Sequence, residues 1–478
     1  MTDPLSADPR GFTGPVPTAR PEAVAEPALT SLWDPRALWV TLGSVSLIFL
    51  AALTSLALTT VMPIVSADLS GDALYALAFS GTLATGVIGM VAAGAWSDRS
   101  GPVAPLTIAV ALFVVGLAID TAAPTMEILV LGRLITGLGS GAQVVALYVV
   151  VARVYPAALH GRVMALFSAA WVVPSLVGPF LAGIVTEQLH WRWVFGGLAA
   201  LTVVAFAMVA PRLRHLSGGS AGARDLTAAR RLLFAVFVAV AALALGLTGE
   251  LAHSLAPAVG WGIAAGAIVV IGFAVLPLLP RGTLRGRHGL PSVILMRGLI
   301  AGSLFGAEIY VPYLLIDRFG FSPAFAGLGL TTAAIAWAIS AQVSGRHGDR
   351  IGNTRIAVLG VVLLLTAAVA CAVTALLSLP AIVPIAMWAF AGFGMGLMYP
   401  RLTVLTLAYS DRANEGFNSS ALQISDSVGA SATIAIMGLA FTSLAATGAG
   451  FPVVFGIAAV LALLALAPGV RLGHAHER

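Results

Sequence analysis

Two acidic residues stand inside apolar runs that are costly places for charge. Glu308 lies in Phe305-Gly-Ala-Glu308-Ile-Tyr310-Val-Pro312, and Asp426 in Gln423-Ile-Ser-Asp426-Ser427. Two arginines are placed in the same way: Arg133 in Leu131-Gly-Arg-Leu-Ile-Thr-Gly137, and Arg401 directly after Pro400. Ionisable groups in such surroundings mark routes for protons, ions or substrates. Glu308 is suited to load and release a proton as water reaches it, with Tyr310 and Pro312 offering a hydrogen bond and a local bend. The alternative is a neutral structural Glu308 bonded to a neighbouring helix. Asp426 has two open readings, a structural or gating ion pair with Arg401 and a second proton or cation site. Arg133 fits a packing role through hydrogen bonds to nearby carbonyls. The remaining inventory is narrow. The single cysteine, Cys371, excludes an intrachain disulfide and a multi-cysteine metal site. His474 and His476 are too few for a metal centre, and no phosphate-binding loop or other cofactor motif occurs.

The elements that carry these residues are membrane spans. Of 478 residues, 59% are hydrophobic and 9% charged, against about 25% charged in a soluble domain. Mean hydropathy is +0.99. A span takes about 20 apolar residues, so fourteen would occupy about 280. The pattern predicts an all-α polytopic membrane protein with spans at 38–63, 73–96, 103–122, 127–152, 163–186, 193–210, 231–249, 257–280, 292–315, 323–345, 355–377, 381–407, 419–443 and 450–469. The seventh and eighth lie between Arg-rich segments at 211–230 and 281–290. Residues 1–36 hold seven prolines and read as a disordered tail, as does the short segment 471–478. The first apolar run is long enough to be retained as an anchor, with no cleavable signal apparent.

All 25 basic residues are arginines, and they are scattered between apolar runs. A nucleic-acid footprint would cluster them. With the N-terminus in the cytoplasm, 21 of them, Arg297 included, fall on the cytoplasmic side, and only Arg192 and Arg318 fall on the other. The positive-inside rule therefore puts both termini in the cytoplasm. Asn418-Ser-Ser420 matches a glycosylation sequon but falls on that same side.

Two loops repeat. Gly94-Ala-Trp-Ser-Asp98-Arg99-Ser-Gly101 and Gly345-Arg-His-Gly-Asp349-Arg350-Ile-Gly352 share the pattern G-x-x-x-D-R-x-G at an offset of 251 residues. Gly137-Leu-Gly139-Ser-Gly141 and Gly392-Phe-Gly394-Met-Gly396 are related by 255. One register relates both pairs, about 50 residues longer than two six-helix halves require. The excess is two helices. The predicted organisation is a six-helix bundle (37–210), a linker with two additional helices (211–290) and a second, parallel six-helix bundle (291–470). In each loop the glycines allow helix ends to approach and turn. The Asp can face a neighbouring helix N-terminus, and the Arg can reach headgroups or a carboxylate.

These motifs resemble the major facilitator superfamily, and within it the fourteen-helix drug:proton antiporters, over residues ~37–470. Gly94, Asp98, Arg99 and Gly101 match the family's cytoplasmic loop signature, and Arg133 with Gly137 its fourth-helix signature. Pro174-Ser-Leu-Val-Gly178-Pro179-Phe-Leu-Ala-Gly183 resembles the fifth-helix antiporter signature, with Pro174 in place of its first glycine. His190-Trp-Arg-Trp-Val-Phe195 resembles the sixth-helix start. The first-helix Asp common in such exporters is absent from Leu53-Thr54-Ser55-Leu56. The resemblance implies a proton-driven exporter of hydrophobic or amphipathic molecules in the cell membrane, working by alternating access around a central cavity. Glu308 would be the main proton carrier, Asp426 the second, and Arg133 tied to coupling. Export of an endogenous lipid or secreted metabolite is the runner-up. A non-transporting sensor or scaffold would need neither the matched loops nor the buried acids. The partners implied are membrane lipids, protons and a small-molecule substrate; the proton gradient replaces any cofactor, and the chain is expected to be a monomer, not an enzyme.

Overall fold

The computed structural model describes residues 31–70, 74–213, 226–254, 257–321, 323–444 and 447–473. Residues 1–30 of the predicted tail 1–36, residues 474–478 of the predicted tail 471–478, and the linker stretch 214–225 lie outside them. The helices are α1 (Leu38–Asp68), α2 (Tyr75–Ser100), α3 (Val103–Ala122), α4 (Met126–Val154), α5 (Ala157–Gln188), α6 (Trp191–Leu213), α7 (Leu226–Ser254), α8 (Pro257–Ala274), α9 (Leu290–Glu308), α10 (Tyr310–Phe319), α11 (Pro323–Ile351), α12 (Asn353–Leu377), α13 (Ile382–Ala408), α14 (Glu415–Leu444) and α15 (Gly450–Gly469). With no water to satisfy backbone amides in a bilayer, apolar runs of this length have to be helical. Thirteen described spans are long and apolar enough to cross a membrane, α9 and α10 counting as one run, Leu290–Phe319. The predicted fourteen include α11, 29 residues long, which stands outside that count.

The repeat in the sequence reappears as a repeat of packing. In the first bundle α1 packs on α5 and α6, α4 on α2 and α3, and α3 on α6. In the second, α9 packs on α14 and α15, α13 on α11 and α12, and α12 on α15. Each bundle has its own apolar core, one around Leu47, Phe113, Leu147 and Phe195, the other around Ile300, Leu364, Met395 and Phe455. The two additional helices form a pair that bridges the bundles, with α7 against α2 and α14 and α8 against α14.

Two local features position the site. The run Leu290–Phe319 breaks for one residue at Ile309. Pro312 has no N–H for the carbonyl of Glu308, four residues earlier, so the chain parts beside that acid. The last glycine of each repeated loop, Gly101 and Gly352, has φ of +83° and +93°, a conformation that a side chain disfavours. It stops α2 and α11 and lets the next helix start at once.

Candidate functional site

The two bundles enclose a cavity of about 460 Å³. The first supplies Ile48, Leu83, Val144 and Tyr148 and the α5 face Met164, Phe167, Ser168, Trp171 and Ser175. The second supplies Arg297, Leu304, Phe305 and Glu308 from α9, Trp337 from α11, Trp388, Tyr399 and Thr403 from α13, and Gln423, Asp426, Ser427 and Ser431 from α14. Seven aromatic rings make the walls broad and apolar. Phe305, Trp337 and Tyr399 stand against one another, with centroids 5.2–6.5 Å apart.

Three charged residues line this space. Glu308 sits at the end of α9, half-buried, and among the described residues no hydrogen bond or ion pair reaches its carboxyl. Arg297 lies eleven residues earlier on the same helix, about 16 Å away along its axis. Its Nε donates to Asp426 Oδ1 at 2.9 Å, and its Nη1 donates to the Tyr399 carbonyl at 2.8 Å. Its guanidinium lies over the Tyr399 ring, and the Tyr399 hydroxyl donates to Asp426 Oδ2 at 2.5 Å. Asp426 is thus held by two strong donors.

This geometry corrects several sequence expectations. Arg401 does not pair with Asp426. It bonds Asp349 at 2.6 Å and Asn353 Oδ1 at 2.7 Å at the loop end of α13, because Asp426 already faces Arg297. Arg297 is not a loop residue; it is 1% exposed, inside α9. Asp120, 0% exposed in α3, is a third carboxylate within a span and lies 3.7 Å from Arg133. Arg133 is therefore buried between α3 and α4, away from the cavity. Tyr310 also lies off the cavity, its ring 5.1 Å from Phe441.

The repeated loops close one end of the cavity. Asp98 accepts hydrogen bonds from the amides of Gly416 and Phe417, at 2.6 and 2.9 Å, and so caps the N-terminus of α14 across the seam. Gly94 approaches Gly416 so closely that a Cβ on it would meet the Gly416 carbonyl oxygen at 2.5 Å. The symmetric contact joins Gly345 of α11 to Gly161 of α5, at 2.8 Å by the same construction. Arg153 adds a clasp, reaching Glu415 at 3.2 Å and the Ser97 carbonyl at 3.1 Å. Asp349 is 84% exposed, and among the described residues it pairs with Arg401 and caps no helix across the seam. Arg99 is half-buried and Arg350 exposed. On α5, Pro174 and Gly178 are buried, Gly178 beside Leu53, while Gly183 faces open space; the helix runs through both Pro174 and Pro179. Leu83 and Ile434 also line the cavity and are 64% and 38% exposed. The Asp98, Gly94 and Gly345 contacts close the cavity at the loop end.

The loop-end seal was missed in the sequence. Gly161 and Gly416 are separated by 255 residues, the register of the Gly137 and Gly392 pair, so their correspondence was available. That they meet Gly345 and Gly94 was not, because contact across the seam follows from tertiary packing.

Comparisons with known proteins agree with this architecture. The sequence profile of the Major Facilitator Superfamily matches residues 44–432, with a second match over 293–474. A probable multidrug-efflux transporter of Mycobacterium tuberculosis is 27% identical over 384 residues, covering 76% of this chain and 79% of that one. A multidrug transporter of Bacillus subtilis is 23% identical over 406 residues, covering 83% and 74%. Among solved structures, a human organic anion transporter superposes with a TM-score of 0.68 at 16% identity, over 90% of this chain and all of that one. A proton:xylose symporter gives 0.63 at 15% identity, over 90% and 94%.

Proposed function

Because the chain belongs to the Major Facilitator Superfamily, a family of membrane transporters, we propose that it is a secondary active exporter that exchanges protons for hydrophobic or amphipathic small molecules. The observation that carries this reading is the cavity itself. It lies between two bundles, is walled by seven aromatic rings, and holds one carboxyl, Glu308, without a countercharge among the described residues. Substrate and proton compete for Glu308, and each occupancy biases the same two-state rocking of the bundles. The loop-end seal, with Asp98 on the α14 N-terminus, holds the state open to the other side. The multidrug naming of the relatives supports the substrate class. In this reading the protein sits in the cell membrane with the loop end and both termini cytoplasmic; external labelling of a cysteine placed at Ser220, in a Cys371→Ala background, contradicts that orientation. The function is tested in proteoliposomes with an imposed pH gradient and a panel of hydrophobic dyes. Accumulation that collapses when the gradient is dissipated supports it, and transport indifferent to the gradient refutes it.

A further inference from the structure

Helix α7 reaches the loop-end seal from outside either six-helix bundle. It packs mainly along α2 and also touches α14, the two helices that meet at Gly94 and Gly416. Two arginines near its start reach different rings. Arg230 is exposed and lies 5.9 Å from the Phe234 ring on its own helix. Arg231 is half-buried and crosses to α14, its guanidinium carbon 4.0 Å from the centroid of the Phe417 ring. Among the described residues no hydrogen bond or ion pair reaches Arg231, so the ring is what places it. A cation over an aromatic face is attracted by the ring quadrupole, and more strongly where it is partly desolvated. Phe417 is thereby held twice. Its amide donates to Asp98 Oδ2 on α2 at 2.9 Å, beside the Gly416 amide at Oδ1, and its ring takes Arg231 of α7. The matching seam of the repeat lacks this arrangement: in the register of 255 residues Phe417 corresponds to Arg162 on α5, which is exposed. For the α2–α14 seam to part, Phe417 has to leave both Asp98 and Arg231.

We propose that Arg231 is a positioning residue for transport: from the inserted helix pair it holds Phe417, and through it the α14 N-terminus, against Asp98, so that α7 stabilises the loop-closed state. The inference rests on the reading of the chain as a transporter whose bundles rock. It gives the two additional helices a part in the conformational cycle. A role confined to membrane orientation would be served equally by Arg230, since that role depends on charge and not on what the side chain touches.

The test is the rate at which a water-soluble maleimide labels a cysteine at Ser420, in a Cys371→Ala background, with the full chain in nanodiscs. Ser420 is 3% exposed and lies against Gly94, so labelling reports parting of the seam. Arg231→Gln should raise the rate about fivefold, the equivalent of about 1 kcal/mol for a cation stacked on a ring. Phe417→Leu leaves the charges intact and should raise it as much. The double variant should go no further than either single one, because both remove the same contact. Arg231→Lys keeps a cation and should raise the rate less, and Arg230→Gln should leave it at the wild-type value. An unchanged rate in Arg231→Gln, an equal rise in Arg230→Gln, or a multiplied rise of about 25-fold in the double variant overturns the inference while leaving the transporter reading standing. If Ser420 is labelled in neither the wild type nor any variant, the loop end does not open, and the rocking reading falls with the inference.

Discussion

Replacing Asp426 by Asn should destabilise the protein strongly, for reasons readable from its neighbours. Arg297 is 1% exposed and takes its only described countercharge from Asp426. Breaking a buried pair by removing one partner costs about 3–5 kcal/mol, because the other charge remains buried. Asn keeps an oxygen for the Arg297 Nε, and the Tyr399 hydroxyl can turn to accept from its amide, so the lower end applies, about 3 kcal/mol, or roughly a hundredfold in the folding equilibrium. Replacing both residues, Arg297→Met with Asp426→Leu, removes the charges together and should restore most of the loss. Arg401→Met should cost about 1 kcal/mol, since its carboxylate partner Asp349 is 84% exposed and its other loss is the bond to Asn353. The assay is unfolding of the purified wild type and these three variants in detergent, with Arg401→Met as control. Wild-type stability of Asp426→Asn would refute the reasoning. So would an Arg401→Met loss as large as that of Asp426→Asn, which would return Asp426 to Arg401.

Asp98→Asn removes the charged acceptor of two α14 amides, worth about 0.5–2 kcal/mol as a helix cap, and should slow transport while leaving substrate affinity near wild type; Asp349→Asn, at an exposed carboxylate, should do much less. Equal effects in a transport-rate assay would contradict this. Gly94→Ala places a methyl against the Gly416 carbonyl and should open the loop-end seal, raising the labelling of a cysteine introduced at Ser420 by a water-soluble maleimide in a Cys371→Ala background; unchanged labelling would show that the seal does not depend on that approach.

The fold was legible because membrane helices announce themselves by length and hydropathy, and the repeat by two loops and two glycine triplets in one register. The site was legible only in part. Glu308 stood out as an acid in an apolar run, and it lines the cavity. Arg297 did not stand out, because at the edge of an Arg-rich segment it reads as one more topology signal, although helix α9 begins seven residues before it. Asp120 was hidden for a similar reason, two residues from the end of α3. The choice of partner for Asp426 was not in the sequence at all. Arg297 and Arg401 both lie on helices that pack with α14, and only side-chain direction decides between them. The asymmetry of Asp98 and Asp349 was equally hidden, since their motifs match while their surroundings do not.

The account turns on Glu308 as the exchanging group, and accumulation of a hydrophobic dye in inverted vesicles with an imposed pH gradient tests it most directly. Gln at this position matches the protonated acid in size and hydrogen bonding but cannot release a proton. Glu308→Gln should bind dye and exchange it down its own gradient, yet fail to accumulate it against one. If Glu308→Gln accumulates dye to the wild-type level under the same gradient, Glu308 is not the carrier and the proposed coupling is wrong.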